Sequence, residues 1–181
     1  MTVLLANHQQ RTFSRRDLIP LQPELLWRIE TGVVRTLTWS EEGTPVTLGY
    51  WGATDVVGQP LSRVTPYQIE CITTVEASLV PEHLWHQVLE AVLKHAQQTE
   101  ELLCIFHQEP LHLRLRLLLV WLAQKFGRQV ETGKLIDLRL THQQLAEVIG
   151  ATRVTVTRLL KQFEREGIIK RSHRQPLILC K

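Results

Sequence analysis

Apolar and polar positions change their period along the chain, and the change divides it into parts. From about Leu25 to Pro81 the runs are short. VVRTLTWS (33–40), PVTLGYW (45–51) and QIECITTVEASLV (68–80) are rich in Val, Ile, Thr and aromatic residues, the composition of half-buried strands, with Gly32, Gly43, Gly52 and Gly58 as punctuation. EEGTP (41–45) between two such runs predicts a hairpin loop. No helical stretch intervenes, so the strands are expected to form a small antiparallel barrel or sandwich rather than a βαβ unit.

After Pro81 the pattern becomes helical and holds to about Glu109. Trp85, Leu89, Val92, Ala96, Thr99, Leu103 and Phe106 recur at alternating steps of four and three, the seam along which two helices pack side by side. The same spacing suits an amphipathic helix lying on the barrel. The dimer seam is the expectation carried forward. Pro110 interrupts this helix, and LHLRLRLLLVWLAQKFG (111–127) predicts another, buried on several sides and stopped at Gly127. LIDLRL (135–140) alternates Ile136, Leu138 and Leu140 with Asp137 and Arg139, which predicts a short half-exposed strand.

LTHQQLAEVIGATRVTVTRLLKQFEREGIIK (140–170) carries the strongest local signals. Thr141 and Gln144 form a T-x-x-Q capping box with Leu140 and Leu145 at the staple positions, so a helix starts at 142. It ends at Gly150, a residue that accepts positive φ. Thr152 can cap a second helix running to about Glu166. At 100° per residue, Val156, Leu159, Leu160 and Phe163 share one face of it. Val154, Thr157, Arg158 and Lys161 share the other, and Arg153 stands in the exposed first turn. A helix, a short turn and a second helix with a basic, hydroxyl-bearing face is what entry into a DNA major groove requires. Beyond it, Ile168 and Ile169 begin a strand, Ser172–Pro176 make a basic turn and Leu177–Leu179 return. Such a wing brings Arg171, His173 and Arg174 towards phosphates.

Charge sharpens this division. Residues 141–181 hold eight Lys/Arg against Glu147, Glu164 and Glu166, a net of +5, whereas the whole chain is only +3. A polyanionic partner is therefore expected for the C-terminal part. Cys71, Cys104 and Cys180 are scattered and imply neither a disulfide framework nor an iron–sulfur cluster. The pairs His83/His86 and His107/His112 lack a completing ligand pattern, so no metal and no cofactor is expected. No Gly-rich phosphate loop, nucleophile elbow or HExxH is present, which argues against an enzyme. The apolar runs are too short for a membrane span, and the N-terminus lacks a secretion signal; a cytoplasmic location is expected.

The strand-rich half, the long helix, RLRLLLVWLA and the 140–170 stretch together resemble the Crp/Fnr family of bacterial transcription regulators, from about Leu25 to the C-terminus. IGATRVTVTRLL is especially similar to the cyanobacterial nitrogen-control branch. The resemblance implies an α+β chain with three parts: a shortened cyclic-nucleotide-binding-like β-roll (1–81), a dimerisation helix (82–109) and a winged helix-turn-helix (110–181). It implies a homodimer on double-stranded DNA, with RNA polymerase as a further partner. Carried over by position, Arg153, Val154 and Arg158 face base edges, and Thr141, Gln143, Thr152 and Thr155 meet phosphates.

The nucleotide pocket departs from the family pattern. Where cyclic-nucleotide binders carry a Gly-Glu pair and a downstream Arg-Ser/Thr pair, this chain reads VVGQPLSRVTPYQIECI. Gln59 follows Gly58 in place of Glu, Tyr67-Gln68 stands where Arg-Ser is expected, and Arg63 is displaced. A buried phosphate without a partner is costly, so cyclic AMP is not the expected effector and none is named. Two functions follow: a sequence-specific DNA-binding regulator, or a sensing module whose winged domain contacts protein. Steep salt dependence of duplex binding separates them.

Overall fold

The computed structural model describes residues 10–171 and 177–180, without the Arg171 side chain. The chain divides into two compact units, Met1–Glu100 and Glu101–Lys181.

The first unit contains β1 (Gln10–Phe13), β2 (Leu25–Thr31), β3 (Val34–Trp39), β4 (Pro45–Trp51), β5 (Val56–Val57), β6 (Gln68–Cys71) and β7 (Val75–Pro81). They pair antiparallel in two sheets, ordered β1-β7-β2-β5 and β4-β3-β6. Alternate residues point inward and bury Trp27, Ile29, Val34, Trp51, Ile69 and Val75 in one core. Phe13 meets the Trp27 ring edge-on at 5.4 Å, and the Trp27 indole donates to the Pro20 carbonyl at 2.9 Å. The hairpin loop expected at 41–45 forms one residue earlier: Ser40 and Thr44 exchange hydrogen bonds across it, and Pro45 already belongs to β4.

Two strand expectations need correction. The roll begins before Leu25, because β1 pairs with β7 in register from Gln10↔Ser78 to Phe13↔Val75. Three of its four residues are exposed, so this polar edge strand leaves no alternation to detect. The run 68–80 is two strands in different sheets, β6 and β7. Ile72–Thr74 turn between them, and the Thr73 hydroxyl accepts the Val33 N–H at 2.9 Å. β-Branched residues in that turn hide it from a composition-based reading.

A 3-10 segment, Glu82–Val88, leads into α1 (Leu89–Phe106). Val88 joins Leu26, Val56 and Val80 in a second core, against which Trp85 and Val92 pack. His95 reinforces the attachment of this helix to the roll, lying stacked on Trp51 at 3.7 Å with Nδ1 3.0 Å from the Val56 carbonyl.

The second unit contains α2 (Leu111–Phe126), β8 (Gly127–Val130), β9 (Gly133–Ile136), α3 (His142–Ile149), α4 (Arg153–Arg165), β10 (Ile169–Arg171) and β11 (Leu177–Cys180). The sheet order is β10-β11-β9-β8. Gly127 does end α2, but with ordinary extended dihedrals, φ −94° and ψ 152°. Glycine is needed there because a Cβ would run into the Ala123 carbonyl, not because φ is positive. The strand expected at 135–140 is displaced: β9 ends at Ile136. Leu138 is buried beyond the strand, which mimics continued alternation. Among the described residues, no helix is long and apolar enough to cross a membrane.

Candidate nucleic-acid interface

α3 starts at the expected capping box. The Gln144 N–H donates to Thr141 Oγ1 at 3.1 Å, and the Thr141 N–H donates to Gln144 Oε1 at 2.9 Å. It ends at Gly150, whose φ of 65° and ψ of 42° place it in the left-handed region, where any side chain carries a steric cost. Thr152 then caps α4 by accepting the Thr155 N–H at 3.2 Å, and the two hydroxyls lie 2.9 Å apart. At the far end the Ile168 N–H bonds to the Phe163 carbonyl and the Gly167 N–H to that of Glu164, the paired closure of a Schellman motif.

Segregation of the α4 faces is as read from the sequence. Val156, Leu159, Leu160 and Phe163 are buried. Arg153, Val154, Arg158 and Lys161 are exposed, with Val154 at 77% the most exposed of the large apolar residues among the described residues. Val154 therefore adds little to the core, and it stands in the first turn of α4 next to Arg153. Thr157 differs from expectation. It is half-buried, its hydroxyl donates to the Arg153 carbonyl at 2.8 Å, and His142 Nδ1 lies 2.8 Å from the same oxygen.

The remaining phosphate candidates are distributed as follows. Thr141, Gln143 and Thr152 are exposed at the N-termini of α3 and α4, with Thr155 half-buried beside them. Gln143 also donates to Glu147 at 3.1 Å. β10 and β11 pair antiparallel, as the two sides of a wing must. Its basic turn, 172–176 with His173 and Arg174, and the Arg171 side chain lie outside the described residues.

Arg114 is a residue that motif reading misses. From α2 its guanidinium donates to the Ile149 carbonyl at 2.8 Å and twice to the Gln108 carbonyl, at 3.1 and 3.2 Å. It thereby ties the end of α3, just before the turn glycine, to the segment preceding α2. The signal was available: an arginine on the same side as the buried Leu118 and Trp121 needs partners. Arg114→Ala should destabilise the protein by about 2–3 kcal/mol, the scale of lost charge-assisted bonds to half-buried acceptors. Urea unfolding monitored by circular dichroism checks this; a change below about 0.5 kcal/mol would show that water replaces the bonds.

The seam residues divide. Trp85 and Val92 turn into the second core of the roll, with the Trp85 indole donating to the Val80 carbonyl at 3.2 Å. Phe106 is half-buried, while Leu89, Ala96, Thr99 and Leu103 are exposed. Leu93, 58% exposed, belongs beside them and was absent from the expected seam. A four-three repeat fits two adjacent stripes of one helix, and attachment of α1 to the roll decides which stripe stays outside.

The roll places Gly58 in the interior, where a Cβ would press on the Leu25 carbonyl, and leaves Gln59 and Arg63 exposed. Buried Arg35 is neutralised by Glu70 directly across the β3–β6 pair, at 2.6 Å. Burial, reinforced by Asp17 and Glu70, pushes the Cys71 thiol up to about 12, so it stays protonated and unreactive near neutrality. Burial likewise raises the Tyr67 phenol, with a hydrogen bond to Thr36 opposing it. Among the described residues, no three His, Cys, Asp or Glu side chains gather as a metal site.

A β-roll, a long helix and a winged helix-turn-helix with a bared basic face define a DNA-binding regulator. Residues 113–181 match the Crp-like helix-turn-helix domain. The chain is 41% identical to regulatory protein CysR of Synechococcus elongatus over 167 residues, covering 91% of this chain and 81% of that protein. It is 34% identical over 176 residues to the global nitrogen regulator of Synechocystis, covering 86% and 77%. In fold it is similar to a CRP-family regulator of Thermus thermophilus, with TM-score 0.79, 21% identity and coverage of 94% and 92%. The chain belongs to the Crp/Fnr family of transcription regulators. It is a regulator, not an enzyme.

Proposed function

We propose that the protein binds DNA sequence-specifically as a homodimer, on an inverted repeat of GTA-type half-sites, without cyclic AMP. The observation that carries this reading is Val154, bare at the start of α4 and flanked by Arg153 and Arg158. Arginine grips guanine O6 and N7 with two hydrogen bonds, and valine methyls pack on a thymine C5-methyl. Readers of GTGA-type half-sites in this family carry Glu at the Val154 position, where the carboxylate accepts from cytosine N4. Valine has no such acceptor, so an A·T pair is favoured there. Thr141, Gln143, Thr152, Thr155, Arg171 and Arg174 serve the phosphates, which set position and salt dependence rather than sequence. Exposed Gln59 and Arg63 offer no enclosed partner for a cyclic phosphate.

Val154→Glu should move preference towards G·C at one position of each half-site by about 1–3 kcal/mol, leaving the other positions unchanged. Competition binding with duplexes differing at that pair measures the shift. Identical profiles for both proteins would mean that Val154 does not face the bases. Wild-type affinity should also fall steeply as salt rises, and a flat salt response would favour a protein-docking wing instead.

A further inference from the structure

α3 and α4 pack against each other with Leu145, Ile149, Val156 and Leu160 buried. Apolar contact is non-directional, so it sets separation better than rotation. A polar connection crosses this packing near the end of α4 that carries Arg153 and Val154. His142 Nδ1, in the first turn of α3, lies 2.8 Å from Thr157 Oγ1, and that hydroxyl lies 2.8 Å from the Arg153 carbonyl. Fifteen residues separate His142 from Thr157, so no local pattern in the sequence joins them.

The proton count fixes the direction of the chain. A hydroxyl has one proton, and here it goes to the Arg153 carbonyl. His142 must then present Nδ1–H to the Thr157 oxygen. The series runs from imidazole to hydroxyl to the backbone of the first residue of α4, which is itself a proposed base reader.

We infer that His142 and Thr157 form a positioning pair that sets the rotation of α4 on α3, and so the aim of Arg153 and Val154, without touching a base. The inference rests on the DNA-binding reading above. It assigns Thr157 a different task from its neighbours Val154, Arg158 and Lys161, with which it shares the outward face in a helical projection. Its hydroxyl is turned back into the protein, while theirs is the exposed surface.

The test compares variants that keep the bond with variants that remove it. Thr157→Ser keeps the hydroxyl, and His142→Asn places an amide N–H near the Nδ1 position. Thr157→Val and His142→Ala remove one partner each. The removing variants should lose about tenfold in affinity for the wild type's selected duplex, a typical hydrogen bond, with affinity for random duplex and the salt slope unchanged. The double variant should lose no more than either single one, because both break the same connection. The Thr157→Ser and His142→Asn variants should retain wild-type discrimination. Thermal melting of each variant confirms that it is folded.

A Thr157→Val protein that discriminates like wild type would overturn the inference. So would equal losses by His142→Ala on selected and random duplex with a shallower salt slope, which would make His142 a phosphate contact. Nitrogen-15 NMR of the free wild-type protein reads the bond without DNA: the His142 ring should be in the Nδ1–H form and lose that signature in Thr157→Val. A ring in the Nε2–H form would make Nδ1 the acceptor of the single Thr157 proton, leave the Arg153 carbonyl without it, and so overturn the link from His142 to the α4 backbone. Failure of the wild type to prefer any duplex would instead sink the DNA reading, and the NMR result would still decide whether the connection exists.

Discussion

Leu103→Asp should convert the protein to a monomer and lower its affinity for a palindromic duplex by about 10²–10⁴, the gain that a linked second site supplies. Leu103 is 54% exposed on α1, with Leu89 and Leu93 at 58% on the same side and Ala96 between them. A solitary apolar stripe of this length is unusual on a monomer. A partner helix covering it buries the leucines of both copies, and aspartates facing each other across a two-fold seam would be desolvated like charges. Because Leu103 is already exposed, the substitution should leave folding intact. Sedimentation at micromolar concentration measures the change. A wild type that is itself monomeric under those conditions, or a variant that remains dimeric, would remove α1 as the seam.

Phe163→Ala should cost about 3–5 kcal/mol of stability, the range for removing a buried aromatic ring. Phe163 is 2% exposed on the inner face of α4, and its carbonyl accepts the Ile168 N–H that closes the helix. The loss compares with a total domain stability of about 5–15 kcal/mol. Duplex binding should weaken with it, since the vacated space lets α4 shift. Urea unfolding of the variant beside wild type gives the value directly. A loss below about 1 kcal/mol would mean that α4 is not anchored by its inner face.

The helix-turn-helix half was legible because its signals are local. Thr141 with Gln144, Gly150, Thr152 and the 156/159/160/163 face each act within a few residues, and each occurs where the spacing places it. The roll was less legible. β1 is an exposed polar edge, and the turn at Ile72–Thr74 is built from strand-forming residues, so composition marks neither. Spacing alone puts Trp85 and Val92 on the α1 seam, whereas the choice between adjacent stripes depends on where the roll attaches. Arg114 and the His142–Thr157 connection act across distant sequence positions. Only a three-dimensional arrangement brings their partners together.

Selection of bound sequences from a random duplex pool by the wild-type protein bears most directly on the proposed function. Enriched sequences should carry two GTA-type half-sites as an inverted repeat. Their centres should be about 34–36 Å apart, one helical turn, as a two-fold dimer of helix-turn-helix units requires. Each half-site should hold an A·T pair opposite Val154. A pool that returns no inverted repeat would contradict the two-fold dimer, and one whose half-sites demand G·C at that position would contradict the reading of that base pair by Val154.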